Sequence, residues 1–268
     1  MSDYEFHIDR FSLMTSLLNV VNETSSESSA NILARYFLEH LYELGKLNIY
    51  DVAEDCYISR SGVQRFCKAI GFDTFSNLKV NSPVELTVHQ GAIISYANRP
   101  DFRHYARDAM GEMMREIEEL SDRQDISDLA RRIHDCRRVV LLTAEYSSMA
   151  PRNLQQELMA IGKLVSLVTD SHTDFTLLRS LGEDELLIVC SATGNYAYAA
   201  QELIGELRLP CKALITLSRA PIFRESYDKV FYLSENADNC QRSVYTKYGM
   251  SYFFDLVYST YLKMYYRA

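Results

Sequence analysis

No two of the six cysteines are spaced C-x-x-C, and they form no Cys/His cluster. Cys56, Cys67, Cys136, Cys190, Cys211 and Cys240 are scattered, most of them inside apolar runs. That pattern excludes a disulfide frame and a zinc site, and it predicts buried thiols in a reducing cytoplasm with no metal. Long apolar runs are also missing. No stretch approaches the ~18 uninterrupted apolar residues of a membrane span, and the N-terminus MSDYEFHIDRFSLM carries early acidic residues instead of an apolar core. A soluble, cytoplasmic protein without membrane contact is expected. Positive charge is in deficit too, with 28 Lys and Arg against 36 Asp and Glu, a net charge of −8 and a pI near 5.3. Non-specific attraction to nucleic acid is therefore weak. Any DNA binding depends on a local basic patch, and two copies of it would help, which points to a dimer.

What is present is ample hydrophobic material. With 268 residues and 47% hydrophobic content, the chain can build one large or two modest cored domains, which excludes disorder. The most informative stretch is 49–71, IYDVAEDCYISRSGVQRFCKAIG. Ile49, Val52, Ala53 and Cys56 recur at helical spacing, and Val63, Phe66, Cys67 and Ile70 do so again after the turn Tyr57-Ile58-Ser59. Two short amphipathic helices joined by a tight turn form a helix-turn-helix. Ser59 is placed to cap the second helix and Gly71 to end it. The outward face carries Arg60, Ser61, Gln64, Arg65 and Lys68, with Ser59 at its start, and no carboxylate interrupts it. Such side chains reach phosphates from the first turn and base edges from the middle of a helix. Residues 56–80 hold Arg60, Arg65, Lys68 and Lys79 against Asp73 alone, a basic segment in an acidic chain.

Helices are expected at 9–21 and 29–45, separated by the polar run 22–29, and near 75–79. Together with the helix pair they make an all-α domain over residues 1–80. The Asn81-Ser82-Pro83 break leads into a helical linker, 81–124, in which Phe102, Tyr105, Ala109, Met113 and Ile117 recur at spacings of three and four. From 125 the pattern becomes α/β. Five short runs, VVLLTA (139–144), LVSLVT (164–169), LLIVCSA (186–192), ALITLS (213–218) and VFYLS (230–234), alternate with helices. They predict a five-stranded parallel sheet, doubly wound, covered on both faces through residue 268. The tyrosine-rich stretch 242–267 is expected as a packed or subunit-facing helix.

Ligands of doubly wound sheets bind where loops leave the carboxyl ends of the strands, and helix N-termini there favour anions. Two loops qualify. Ala144-Glu145-Tyr146-Ser147-Ser148 offers the hydroxyls of Ser147 and Ser148, and Ser191-Ala192-Thr193-Gly194-Asn195 offers Ser191, Thr193 and Asn195 around a glycine that lets backbone amides approach a ligand.

The run Val63-Gln64-Arg65-Phe66-Cys67-Lys68-Ala69-Ile70-Gly71-Phe72, continuing to Phe75 and Leu78-Lys79, resembles the RpiR family of bacterial transcription regulators. The resemblance implies a C-terminal sugar isomerase (SIS) domain that binds phosphosugars and dimerises. It places the recognition helix on Arg60 to Ile70. The second phosphate loop, S-x-S-G-x-[ST], falls on Ser191, Thr193, Gly194 and Tyr196, and the first, G-x-G-x-S, on Thr143, Glu145 and Ser147, where both glycines are absent. Glu235, past the fifth strand, matches an acidic position of the family and is a candidate for a sugar hydroxyl.

The expected function is a DNA-binding regulator of carbohydrate metabolism genes, working as a homodimer or homotetramer on a palindromic operator in double-stranded DNA and answering to a phosphorylated sugar. No cofactor and no catalytic residue is expected. Two alternatives accompany this expectation: a regulator whose SIS domain has lost its ligand and only dimerises, and a sugar-phosphate isomerase drawing on Glu145, Glu235, His134 or His172.

Overall fold

The structure is a computed structural model that describes residues 13–81, 94–169, 175–207, 211–235 and 242–266. The chain divides into two compact units, Met1–Ile94 and Ser95–Ala268.

The first unit is helical: α1 Leu13–Glu23, α2 Ser29–Glu39, a 3-10 turn Leu41–Lys46, α3 Ile49–Asp55, α4 Arg60–Ala69 and α5 Phe75–Asn81. The helix expected over 29–45 thus breaks at His40, whose ring nitrogen Nδ1 lies 2.9 Å from the Tyr36 carbonyl oxygen. The helix expected over 9–21 is described from Leu13 only. Asn31 explains the turn between α1 and α2. It is buried on α2 and its amide donates to the Val21 and Thr24 carbonyls, both at 3.1 Å, satisfying the last carbonyls of α1. Leu17, Leu33, Phe37, Leu44, Val52, Val63, Cys67 and Leu78 close the core from all five helices.

The second unit holds the strands β1 Arg138–Thr143, β2 Ser166–Thr169, β3 Glu185–Cys190, β4 Lys212–Thr216 and β5 Lys229–Tyr232. They pair in the order β2-β1-β3-β4-β5, every neighbour parallel. The expected doubly wound sheet is therefore present. Its order reverses direction between β1 and β3, so the crevice of the fold opens at the carboxyl ends of those two strands. Val140, Leu141, Leu142, Leu187, Ile188 and Val189 are fully buried, as strands covered on both faces require.

The helix Phe102–Leu120, expected within a linker, belongs to this second unit. Its apolar stripe does not remain in solvent, because Ala109, Met113 and Ile117 enter the same core as β1, β3 and the C-terminal helix. That last helix, Met250–Tyr265, is a packed one, burying Phe253, Phe254, Val257 and Tyr261. A π-helical turn, Tyr245–Gly249, precedes it. Among the described residues no helix is long and apolar enough to cross a membrane. Five cysteines are free thiols, four of them buried and Cys136 half-buried; Cys240 lies outside the described residues. Burial pushes the Cys67 thiol up to about 12.

Candidate DNA interface and ligand loops

The candidate reading helix α4 is framed as its sequence requires. The Ser59 hydroxyl accepts from the Gly62 amide at 3.2 Å, capping the first turn. At the other end the Phe72 amide donates to the Cys67 carbonyl at 2.8 Å and the Gly71 amide to that of Lys68 at 3.1 Å, with Gly71 at φ +89°. This is the paired bonding of a Schellman end, and it sets Phe72 into the core. The tight turn before α4 contains Tyr57, at φ +53° and almost fully exposed.

Val63, Phe66 and Cys67 point inward, and Ser59, Arg60, Ser61, Gln64, Arg65 and Lys68 are all exposed on the opposite side. Two of the six already have local work. Ser59 is the cap, and it shares a 3.0 Å hydrogen bond with Ser61. Gln64 differs from the expectation of a free reader, because its side-chain oxygen accepts from the Phe75 amide at 3.0 Å and so caps α5. Only its amide nitrogen remains to face outward. Arg60 has a neighbour that sequence reading missed: its guanidinium lies 4.6 Å from the Tyr50 ring centroid, a cation–π contact that holds this cation against α3.

In the second unit both hydroxyl-rich loops leave the carboxyl ends of β1 and β3, at the reversal of strand order. Thr143 joins those ends, its hydroxyl donating to the Cys190 carbonyl at 2.9 Å. In the first loop Glu145–Ser147 forms a 3-10 turn before the helix Met149–Ala160. Ser148 is buried, Ser147 is half-buried, and Glu145 is held by Arg152 one turn into the helix, guanidinium to carboxylate, at 2.8 Å. In the second loop Ser191 is buried and its hydroxyl accepts from the Ala197 amide at 3.1 Å, while the Asn195 amide reaches the Thr193 hydroxyl at 3.4 Å. Gly194 has φ +84°, and a Cβ there would meet the Ser218 Cβ at 2.4 Å and the Phe223 ring at 3.3 Å. Only glycine fits this position. Tyr196, in place of the hydroxyl residue of the motif, is buried.

Three residues absent from the sequence reading stand at the same edge. Arg219 follows β4, lies over the Tyr232 ring at 3.9 Å and donates to the Ser234 carbonyl at 3.0 Å. Ser218 backs the glycine loop, and Ser234 precedes the exposed Glu235. Arg152 had a sequence signal, standing four residues after Ser148 on a helix. Arg219 and Ser234 had none, since the sheet order alone brings their loops alongside. His134 lies at the other end of the domain, ahead of β1, stacked on the Tyr265 ring at 3.7 Å. It is thus apart from Glu145 and Glu235, and His172 lies outside the described residues. Among the described residues no group of three or more His, Cys, Asp or Glu could hold a metal ion.

Residues 15–87 match the helix-turn-helix domain of the rpiR family. An uncharacterised HTH-type transcriptional regulator of Clostridium perfringens is 24% identical over 230 residues, 84% of this chain and 76% of that protein. Another, from Providencia stuartii, is 24% identical over 168 residues, and the match spans 60% of its length. Among solved structures, the Vibrio vulnificus NanR protein complexed with ManNAc-6P shares the fold with a TM-score of 0.53 at 17% identity, covering 95% of this chain and 92% of that one. The sugar isomerase domain of an RpiR transcription factor from Sphaerobacter thermophilus matches 60% of this chain and 90% of its own, with a TM-score of 0.50 at 14% identity. A helix-turn-helix reader joined to a sheet domain of this kind defines a DNA-binding transcription regulator. Residues 15–87 carry the helix-turn-helix domain of the rpiR family, and the sheet domain shares its fold with the sugar isomerase domain of an RpiR transcription factor.

Proposed function

We propose that this regulator controls carbohydrate metabolism genes in the cytoplasm by binding a palindromic operator as a homodimer or homotetramer, and that a phosphorylated sugar changes its grip on that DNA. The observation that carries the reading is the pair of loops after β1 and β3, brought side by side at the strand-order reversal, with Gly194 in a conformation only glycine accepts. Phosphate is taken by the Ser191–Asn195 loop through Ser191, Thr193, Asn195 and the Gly194 amide, aided by Ser147 and Ser148, and Glu235 accepts from a sugar hydroxyl. Ser59, Arg60, Ser61, Arg65 and Lys68 form the DNA face, with Gln64 contributing its amide nitrogen. Recognition helices on half-sites one helical turn apart must sit ~34 Å from each other, so small shifts between sensing domains suffice to alter binding.

A thermal-shift series with hexose and N-acetylhexosamine phosphates tests the sensor. A ligand of ~10 μM affinity at ~1 mM adds about 2.7 kcal/mol of stability and raises the melting temperature. A flat series favours the second reading, a SIS domain kept for dimerisation alone, to which the charged residue at Glu145 in the first loop also speaks.

A further inference from the structure

Glu116 sits on the inner side of the helix Phe102–Leu120, between the buried Met113 and Ile117. Its carboxylate accepts three hydrogen bonds from two separate segments. Oε1 takes the Ser234 hydroxyl at 2.9 Å and the Glu235 backbone amide at 2.6 Å. Oε2 takes the hydroxyl of the fully buried Tyr245, the first residue of the π-helical turn. The Ser234 carbonyl is held from the other side by Arg219. Ser234 and Glu235, which follow β5, are therefore fixed through hydroxyl, amide and carbonyl at once, while the Glu235 side chain stays exposed.

We propose that Glu116 is a positioning residue for ligand specificity: it fixes the backbone of Ser234–Glu235 so that the Glu235 carboxylate points at the sugar portion of the ligand. The proposal rests on the phosphosugar reading above. Charge-assisted bonds from backbone and hydroxyl donors are the stronger kind, and a carboxylate that accepts two of them on one oxygen sets the direction of the chain that follows. Among the described residues the hydrogen bonds of Glu116 go to Ser234, Glu235 and Tyr245 and not to the loops after β1 and β3. Its effect falls on the sugar end of the ligand and not on the phosphate end. It also belongs to the helix that begins the second unit's core after the reader, so a ligand that pulls on Glu235 loads that helix directly.

Two variants separate the elements of this role. In Glu116→Gln the side-chain oxygen can remain at the Oε1 position, keeping both loop bonds, while the amide donates to Tyr245. Glu116→Leu keeps the bulk and removes every acceptor. The test uses the full chain and two readouts. Hydrogen exchange followed by mass spectrometry on the peptide ending at Glu235 is expected to quicken at least tenfold in Glu116→Leu and to stay near wild type in Glu116→Gln. Calorimetric titration with hexose and N-acetylhexosamine 6-phosphates, and with inorganic phosphate, is expected to show Glu116→Leu losing at least tenfold for the phosphosugar that wild type binds while keeping wild-type affinity for inorganic phosphate.

Unchanged exchange in Glu116→Leu overturns the proposal, and so does a parallel loss of phosphosugar and inorganic phosphate. If wild type binds no phosphosugar, the sensor reading fails, while the exchange data still decide whether Glu116 holds the loop. Should Glu116→Leu fail to fold, Ser234→Ala removes one of the two loop bonds and carries the same test with a smaller effect, about threefold.

Discussion

Glu145 and Arg152 form an ion pair, guanidinium to carboxylate, at 2.8 Å across the loop after β1, and both reach the Ser148 hydroxyl, Arg152 Nε at 3.2 Å and Glu145 Oε1 at 3.4 Å. A carboxylate at a phosphate-binding edge repels the ligand by roughly 1–3 kcal/mol at ~6 Å, depending on the local dielectric. Here the charge is matched by a cation seven residues on. The pair leaves these two side chains without net charge in the loop after β1.

Arg152→Ala removes the guanidinium beside Glu145 and is expected to weaken inorganic phosphate and phosphosugar binding about tenfold, measured by calorimetry. Glu145→Gln frees Arg152 and is expected to tighten both. If the two variants change affinity in the same direction, the first loop does not face the phosphate.

Gly194→Ala places a Cβ 2.4 Å from the Ser218 Cβ at φ +84°. The backbone strain alone costs about 1–3 kcal/mol, and the clash adds to it. The urea midpoint is expected to fall, and Ser218→Gly in the same chain to recover part of the loss. Wild-type stability in Gly194→Ala would mean that the loop after β3 relaxes freely.

Arg65→Ala and Lys68→Ala are expected to weaken DNA binding, each by about 1–3 kcal/mol at a base contact or by a drop of ~0.9 in the salt slope at a phosphate contact. Gln64→Ala is expected to lower the stability of the reader by about 1 kcal/mol, because it uncaps α5 at Phe75. Titrating labelled DNA at several salt concentrations, alongside urea unfolding, distinguishes the two kinds of effect.

At the opposite edge of the sheet, Glu185 is buried at the start of β3 and accepts from Arg138, from Arg137 at 2.8 Å and from the Gly182 amide at 2.6 Å. Arg138 above all lowers its carboxyl to about 2. A folded value below the ordinary 4.5 contributes stability that is fully present above about pH 4.5 and is lost as pH falls towards 2, on the order of 3 kcal/mol. Urea midpoints between pH 7 and 2.5 are expected to show this acid limb, and Glu185→Gln to flatten it while lowering stability at neutral pH.

The sequence carried the parts of the fold that local periodicity encodes. The two stripes Ile49–Cys56 and Val63–Ile70, the Ser59 cap and the five apolar runs all recur in the structure where their spacing predicts them. The strand order was legible only through the doubly wound class. The apolar stripe of Phe102–Leu120 shows that the helix packs but not on which neighbour it packs. The same holds for site partners separated in sequence. Nothing near Glu116 foretells that it binds Ser234 and Tyr245, and nothing near Gln64 foretells Phe75, eleven residues on.

The most direct measurement is fluorescence anisotropy of the full chain on a DNA site selected from a random library, with and without each sugar phosphate. A phosphosugar-responsive regulator binds that site through α4, loses binding in Arg65→Ala, and shifts its DNA affinity at least tenfold with one phosphosugar. Tight binding that no phosphosugar alters would contradict the sensor and leave the sheet domain a dimerisation module.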